Sequence, residues 1–255
     1  MTRISMAESS RPKSEAPLPP SERDLVVIVD RSIDPRVVMY QDPQSAIAEQ
    51  YRTFRTNLVA LNPESAPRAL LVTSAIKGEG KSVTAANLAV ALVELSETRV
   101  LLVDADLRAP RVHTLFGQHS SPGLSDLLLE GLSLDQVVVP TQIHNLSILP
   151  AGREVNNPSE LIGSPRIGHL ISTLKAEYQY LLFDTPPVLP FTDACQIGTK
   201  VDGAIVVVRM EKTPKDQIDR ALRTLEAART NVIGSFLAGC RDQDDGGRDY
   251  VVEDD

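Results

Sequence analysis

The sequence contains few cysteine and aromatic residues, and it has no tryptophan. Its two cysteines, Cys195 and Cys240, show neither C-x-x-C spacing nor a histidine at metal-ligand spacing. This pattern argues against a zinc site or an iron–sulfur cluster held by cysteine. We therefore interpret both cysteines as buried thiols of a protein that resides in a reducing compartment.

Long hydrophobic runs and an excess of basic charge are also missing. No apolar run approaches the roughly 20 residues that span a bilayer, and the N-terminus lacks the apolar core of a signal peptide. The formal net charge of -8 argues against broad affinity for nucleic acid or anionic lipid, since both require a basic surface. We expect a cytoplasmic protein that does not bind nucleic acid.

The length and composition suit one large domain between two loose ends. With 255 residues, of which 42% are hydrophobic, the chain can bury a full core. Residues 1–24 are rich in proline, serine and balanced charge, and we expect a disordered leader there. Residues 241–255 hold two arginines against six aspartates and one glutamate, a net charge of -5, which predicts a flexible acidic tail. The predicted domain covers residues 25–240.

Apolar runs alternate with helix-forming segments through the middle of the chain. Most of the runs are apolar on both faces, as parallel strands covered by helices are. In the last helical segment Thr213 can act as the cap and Pro214 suits the first helical position. The pattern predicts an α/β fold, a doubly wound and mostly parallel sheet that binds ligands at the carboxyl ends of its strands. The predicted strands are "ALLVTS", "VLLVDAD", "LSILPAG", "YLLFDTPP", "GAIVVVR" and "VIGSFLAG".

A lysine-tipped glycine turn, "AIKGEGKS", follows the first of these strands. It matches the G-x-x-x-x-G-K-S phosphate-binding loop except at Ala75, which stands in place of the first glycine. Such a loop turns backbone N–H groups toward phosphate oxygens, and the helix after it adds its positive end. The alternative is a glycine turn that binds nothing, but the strand before it and the helix after it favour a nucleotide site. The candidate nucleotide-binding residues are Gly78, Glu79, Gly80, Lys81, Ser82 and Val83.

Three aspartates stand where two other predicted strands end. Asp104 and Asp106 follow "LLV" after the second strand, and Asp184 ends "LLFD". Carboxylates at this edge of a sheet suit Mg²⁺ coordination and the acceptance of a hydroxyl proton. Either Asp104 or Asp106 alone could instead cap the helix that follows. We predict a catalytic site that contains Lys81 and the three aspartates, with Mg²⁺ on Ser82, Asp106 and Asp184.

From Ile33 to Ala238 the sequence resembles the bacterial tyrosine kinases, cytoplasmic P-loop proteins of capsule and exopolysaccharide biosynthesis. The resemblance implies a MinD/ParA-like P-loop fold and transfer of the ATP γ-phosphate to tyrosine. It places Lys81 and Ser82 in the Walker A element and Asp184 in Walker B. It also places Asp104 and Asp106 in the family's A-prime element, with Asp104 as the base. The segments that carry it are "IDPRVV", "SAIAEQYRTFRTNL", "SAIKGEGKS", "LLVDADLRAPRVHTLFG", "PGLSDLLLEG", "LSILPAG", "NPSELIGSPR" and "FDTPPVLPFTDA".

A charged motif and a partner come with this resemblance. Glu49, Arg52 and Arg55 match the family's E-x-x-R-x-x-R motif, and their spacing places them on one helix face. They could pair within the helix, form a solvated charged face, or contact a neighbouring subunit, and the resemblance implies the last, in a ring. It also implies a membrane-embedded polysaccharide co-polymerase that recruits and activates the kinase at the inner face of the membrane.

The sequence departs from the family pattern at several positions. Tyr250 is the only tyrosine of the tail, where relatives typically carry a cluster, so an ATP-binding switch without kinase activity is one alternative. A MinD or ParA ATPase is another, but its signature lysine would stand at Ile76. Ala238 replaces a frequent asparagine near the adenine pocket, which predicts weaker or different base recognition. Val83 replaces a second hydroxyl, and Lys77 a common proline.

Overall fold

The computed structural model describes residues 33–239, apart from residues 63, 65 and 67. The predicted leader and the predicted acidic tail lie outside the described residues, and so do Cys240 and Tyr250. The predicted domain limits therefore stay predictions. None of the helices in the described part of the chain is long and apolar enough to cross a membrane.

The described strands form a single sheet, and each of the six predicted runs supplies one strand. Across the sheet the order is β3-β4-β2-β5-β1-β6-β7, and every neighbouring pair is parallel except β3 and β4. This confirms the predicted doubly wound, mostly parallel sheet. The strands are β1 Arg68–Ser74, β2 Val100–Asp104, β3 Val139–Pro140, β4 Leu146–Leu149, β5 Tyr180–Asp184, β6 Gly203–Arg209 and β7 Val232–Ala238.

Helices cover both faces of the sheet. Those of the first half of the chain, α1 to α4, contribute buried side chains to one hydrophobic cluster, and α5 to α10 contribute to the other. The helices of the described residues are α1 Val38–Gln41, α2 Ala46–Ala60, α3 Lys81–Val93, α4 Val112–Leu115, α5 Leu124–Glu130, α6 Leu134–Val137, α7 Pro158–Gly163, α8 Pro165–Leu174, α9 Asp193–Gly198 and α10 Lys215–Ala227.

Helix α2 lies over β7 and beside α3. Ser45 caps its start by accepting the Ala48 N–H at 3.2 Å, as an N-cap serine does. The Tyr51 ring stacks on Phe236 of β7 with centroids 4.9 Å apart, and Phe54 meets the same ring edge-on at 5.2 Å. Such aromatic pairs add about 0.5–1.5 kcal/mol each beyond their buried area. These two ring contacts stabilise the packing of α2 against β7 at the edge of the sheet.

Two local predictions are wrong. Thr213 does not cap α10, because the helix begins at Lys215, Pro214 takes the N-cap position, and the Thr213 hydroxyl donates to Glu79 instead. Cys195 is only partly buried, although burial still raises the pKa of its thiol. The difference at Thr213 arises from a contact between segments that are far apart in the chain.

The sheet register brings the predicted functional residues to one edge. Asp104 at the end of β2 pairs with Asp184 at the end of β5, and Asp184 also pairs with Val72 of β1. The loop after β1 therefore begins beside both carboxylates.

Candidate functional site

The loop between β1 and α3, residues Ala75–Gly80, forms the first part of the site, and we call it the phosphate-binding loop. Gly78 and Gly80 have φ values of 78° and 86°, a left-handed conformation that side chains disfavour. Gly80 is the N-cap of α3, and its carbonyl accepts the Thr84 N–H at 2.8 Å. The N–H groups of Lys81, Ser82 and Val83 are thus the first-turn donors that an α-helix leaves without intrahelical partners. This geometry suits a bound anion.

Lys81 lies inside the site rather than on the surface, with 7% of the residue exposed. Its positive charge lowers the pKa of both Asp106 and Asp184, in opposition to the effect of their burial. The ammonium group therefore lies close enough to both carboxylates to act on their pKa values. It can donate hydrogen bonds to phosphate oxygens while its positive charge offsets the negative charge of the aspartates.

Asp104 is fully buried, and its two oxygens have different surroundings. Oδ2 accepts the N–H groups of Arg111 at 3.0 Å and Val112 at 2.9 Å, so this carboxylate does cap the start of α4. Oδ1 has no hydrogen-bond partner among the described residues. Burial raises the pKa of Asp104 well above its usual range, and the negative charge of Asp184 raises it further. One oxygen is anchored and the other is available for chemistry.

Asp184 is fully buried at the end of β5. Neither of its carboxylate oxygens has a hydrogen-bond partner in the described part of the chain. Burial raises its pKa to about 7, the Lys81 charge and the Ser82 hydroxyl lower it, and Asp106 raises it. The Ser82 hydroxyl is close enough to act on this pKa, although the two groups do not reach hydrogen-bond geometry.

Asp106 lies two residues beyond the end of β2 and is 5% exposed. Its Oδ1 accepts the N–H groups of Arg108 at 3.3 Å and Ala109 at 3.1 Å, which fixes the carboxylate in a tight turn. Burial raises its pKa, and the Lys81 charge lowers it. The structure thus brings together Lys81 and all three predicted aspartates.

These donors fit Mg²⁺ that arrives with a nucleotide. Buried carboxylate oxygens of Asp104 and Asp184 have no hydrogen-bond partner in the part of the chain that the structure describes, and the Ser82 hydroxyl is close enough to Asp184 to act on its pKa. Within the described residues, no group of three or more histidine, cysteine, aspartate or glutamate side chains could hold a metal ion. Mg²⁺ usually keeps several waters and binds through one or two carboxylates together with substrate phosphates. A site completed by the nucleotide agrees with this preference.

A cluster around Arg108 escaped the sequence reasoning. Its guanidinium donates to buried Asp193 at 3.2 Å and to Ser159 at 2.7 Å, and it lies 4.1 Å from the centroid of the Phe191 ring. It joins the turn that holds Asp106 to the starts of α7 and α9. The partners stand 51 and 85 positions away in the chain, and no spacing in the sequence connects them.

Arg52 and Arg55 find their main partner within the chain. Arg52 forms a two-pronged pair with Glu94, just after α3, at 3.0 and 2.9 Å, whereas its contact with Glu49 in the same helix is longer, 3.3 Å. Arg55 donates to Glu94 at 2.6 Å and to the Ala91 carbonyl at 2.9 Å. The three motif residues do share one face of α2, and that face is joined to the end of α3.

Comparison with known proteins decides the family. A family model described as an AAA domain matches residues 70–236. Tyrosine-protein kinase YwqD of Bacillus subtilis (strain 168) is 38% identical over 203 residues, which cover 80% of this chain and 85% of YwqD. The chain belongs to the bacterial tyrosine kinase family. The resemblance inferred from the motifs is confirmed.

Solved structures agree with this bacterial tyrosine kinase assignment. The kinase domain of Escherichia coli tyrosine kinase ETK has a TM-score of 0.76 and 28% identity, and 84% of each chain is covered. The septum site-determining protein MinD of Pyrococcus horikoshii OT3, solved with Mg-ADP, has a TM-score of 0.57 and 28% identity. That match covers 67% of this chain and 70% of the MinD chain. Nucleotide and Mg²⁺ binding is therefore found among the structural neighbours of the family.

Proposed function

We propose that this protein transfers the γ-phosphoryl group of ATP to tyrosine. The observation that carries the proposal is the meeting of the phosphate-binding loop with Lys81 and three buried aspartates at adjacent strand ends, in a member of a tyrosine kinase family. The direct test is incubation of the pure protein with labelled ATP, followed by phosphosite mapping.

Each residue has a role that its surroundings support. Backbone N–H groups of Gly78 to Val83 and the Lys81 ammonium bind the phosphates. The unpartnered Oδ1 of Asp104 accepts the tyrosine proton as the phenol oxygen attacks the γ-phosphorus. The bond from that phosphorus to the β–γ bridging oxygen breaks, and ADP leaves with the electron pair. Ser82, Asp106 and Asp184 would hold Mg²⁺, which when bound neutralises phosphate charge.

The acceptor that we propose is Tyr250. Among the tyrosines of the described residues, Tyr51 and Tyr180 are buried, while Tyr40 and Tyr178 are half-buried within the folded domain. Burial raises the pKa of Tyr51 to about 12, so its hydroxyl is a poor nucleophile where it lies. Tyr250 lies outside the described residues, in the segment of net charge -5. A long enough tail could bring it to the site of a neighbouring subunit.

Replacing Tyr250 with phenylalanine should remove most of the self-incorporated phosphate and leave ATP hydrolysis unchanged, because only the acceptor hydroxyl is lost. The measurement is label incorporation with the co-polymerase's cytoplasmic segment present and absent. Tyr178→Phe, a half-buried tyrosine of the folded domain, is the matched control and should keep wild-type labelling.

Labelling that persists in Tyr250→Phe would show that the tail is not the acceptor. Wild-type protein that never incorporates label, even with the activating segment, would favour the other candidate function. That candidate is an ATP-binding switch of the same assembly whose conformation, rather than its phosphorylation, controls the partner. The single tail tyrosine is the observation that favours it.

We also propose a membrane partner, the cytoplasmic end of a polysaccharide co-polymerase, and a cytoplasmic kinase recruited to the inner face of the membrane. Capsule or exopolysaccharide assembly is then the process that it regulates, with tyrosines of other proteins as further substrates. A MinD or ParA type of switch has less support, since Ile76 stands where those proteins carry their signature lysine. The net charge of -8 does not favour a nucleic-acid partner.

The proposed homo-oligomer depends on Glu49, Arg52 and Arg55. Changing both arginines to glutamate should shift the protein from oligomer to monomer in light scattering, because the new charges repel whatever acidic groups the neighbour offers. Glu94→Gln is the control, since it removes the negative charge of the partner that both arginines share and keeps their own positive charge. We expect it to cost no more than about 1 kcal/mol of stability and to leave the oligomer intact. A wild-type protein that stays monomeric with nucleotide and partner segment would refute the ring.

A further inference from the structure

The last residue of β6 and the start of the connection to α10, residues Arg209–Thr213, contact the phosphate-binding loop, and we call this segment the connection. Lys212 Nζ donates to the Gly78 carbonyl oxygen at 3.0 Å, and Arg209 Nη1 reaches the same oxygen at 3.4 Å. Two cations therefore donate to one carbonyl of the loop whose N–H groups we propose to bind phosphate. None of the motifs in the sequence assigns a role to this connection.

The phosphate-binding loop contacts the same connection through Glu79. This side chain is fully buried, and its Oε2 accepts the Ile76 N–H at 2.7 Å, which closes the loop on itself. Its Oε1 accepts the hydroxyl of Thr213 and, at 3.5 Å, the N–H of Arg209. In each of these hydrogen bonds between the two segments, the connection supplies the donor and the phosphate-binding loop supplies the acceptor.

A carboxylate within a phosphate-binding loop creates an electrostatic problem. If Glu79 turned toward the nucleotide, its charge would repel the phosphates, and if it stayed buried without donors it would be strongly destabilising. The hydroxyl of Thr213 and the N–H of Ile76 address both difficulties. They supply hydrogen bonds to the buried carboxylate, and they hold it in a position in which it would not face a bound phosphate. The loop then needs little rearrangement when a phosphate arrives, which lowers the cost of binding.

We propose that Glu79 and Thr213 are positioning residues, which hold the phosphate-binding loop in the conformation that receives the nucleotide. The proposal rests on the nucleotide binding proposed above and assigns the residues that prepare the loop for it. Because α10 starts two residues after Thr213, a movement of that helix would reach the phosphate-binding loop through the same contact.

The test compares Thr213→Val with Thr213→Ser in the full-length protein. Valine keeps the shape of threonine and loses the hydroxyl, whereas serine keeps the hydroxyl. We expect Thr213→Val to raise the Kd for a fluorescent ADP about 10-fold, the size expected for loss of a hydrogen bond to a charged group. The KM for ATP should rise by the same factor with kcat unchanged at saturation, and Thr213→Ser should restore wild-type values.

Two further measurements guard against a purely structural effect. At the assay temperature and without nucleotide, the valine protein should give a wild-type circular dichroism spectrum, although its unfolding midpoint should fall because buried Glu79 loses one donor. The serine protein should keep the wild-type midpoint. Lys212→Met is the second variant, because this exposed lysine donates to the Gly78 carbonyl of the loop rather than to Glu79. We expect it to raise the Kd about 3-fold.

The possible failures are distinguishable. If wild-type protein binds ADP and Thr213→Val binds it equally well, the positioning role is wrong and the nucleotide site stands. Equal weakening in Thr213→Ser, or a fall in kcat with KM unchanged, would also overturn the positioning role. A wild-type protein that binds no nucleotide would overturn the nucleotide site and, with it, this proposal.

Discussion

Replacing Lys81 with methionine is expected to lower phosphotransfer about 100- to 1,000-fold, the range found when a charge-stabilising group is removed from an active site. The ammonium is a positive charge that lowers the pKa values of both Asp106 and Asp184. Without it the phosphates lose a partner, and two buried carboxylates lose their compensation. Nucleotide affinity should fall as well, and both losses can be measured with labelled ATP and a fluorescent analogue.

Lys77→Met provides the control for Lys81. Lys77 lies in the same loop, but its residue is exposed, and the structure assigns it no contact with the aspartates. We expect its variant to behave as wild type in both assays. A Lys81→Met protein with a wild-type circular dichroism spectrum, ATP affinity and hydrolysis rate would remove the assignment of the phosphate-binding loop.

Replacing Asp104 with asparagine is expected to lower phosphotransfer about 100- to 10,000-fold, the contribution of a positioned general base. The amide oxygen of asparagine can still accept the N–H groups of Arg111 and Val112, so the start of α4 should keep its geometry. An amide cannot take up the tyrosine proton. Nucleotide binding should therefore change far less than phosphotransfer, which separates the base from a phosphate or metal ligand.

Asp202→Asn is a matched control for Asp104. Asp202 accepts the Ala69 N–H at 2.7 Å near the start of β1, at the opposite ends of the strands from the site. Its variant should retain phosphotransfer. Equal losses of nucleotide binding and phosphotransfer in Asp104→Asn would make Asp104 chiefly a magnesium ligand, and unchanged phosphotransfer would exclude the base role.

The strands and the phosphate-binding loop could be predicted because their signals are local. In an apolar run such as "LLFD", the residues themselves indicate how long the strand is, that both of its faces are buried, and at which polar residue it ends. Strand β3 was missed because it has two residues, one of them Pro140, and it pairs antiparallel at the edge of the sheet. So short a strand exists through its contact with β4, and no pattern of its own marks it.

The partners of the predicted residues could not be read from the sequence. The E-x-x-R-x-x-R spacing left open whether Arg52 and Arg55 bind within their helix, face solvent or contact another subunit. In the structure Glu94 accepts from both, 42 and 39 positions away. The alternative that Asp104 caps a helix was correct for one of its oxygens, and only the fold shows that the other remains unpartnered.

By itself, the sequence determined the sheet class, the family, and the residues at the carboxyl ends of β1, β2 and β5. The sheet class and these residues follow from periodicity, glycine conformation and residue chemistry within short segments, whereas the family follows from the resemblance of its motifs. Only the tertiary structure decided that the Glu79 carboxylate accepts the hydroxyl of Thr213, 134 positions away, and that Arg108 reaches Asp193. Such contacts form when parallel strands and their crossover helices pack together, and that packing sets which distant side chains meet.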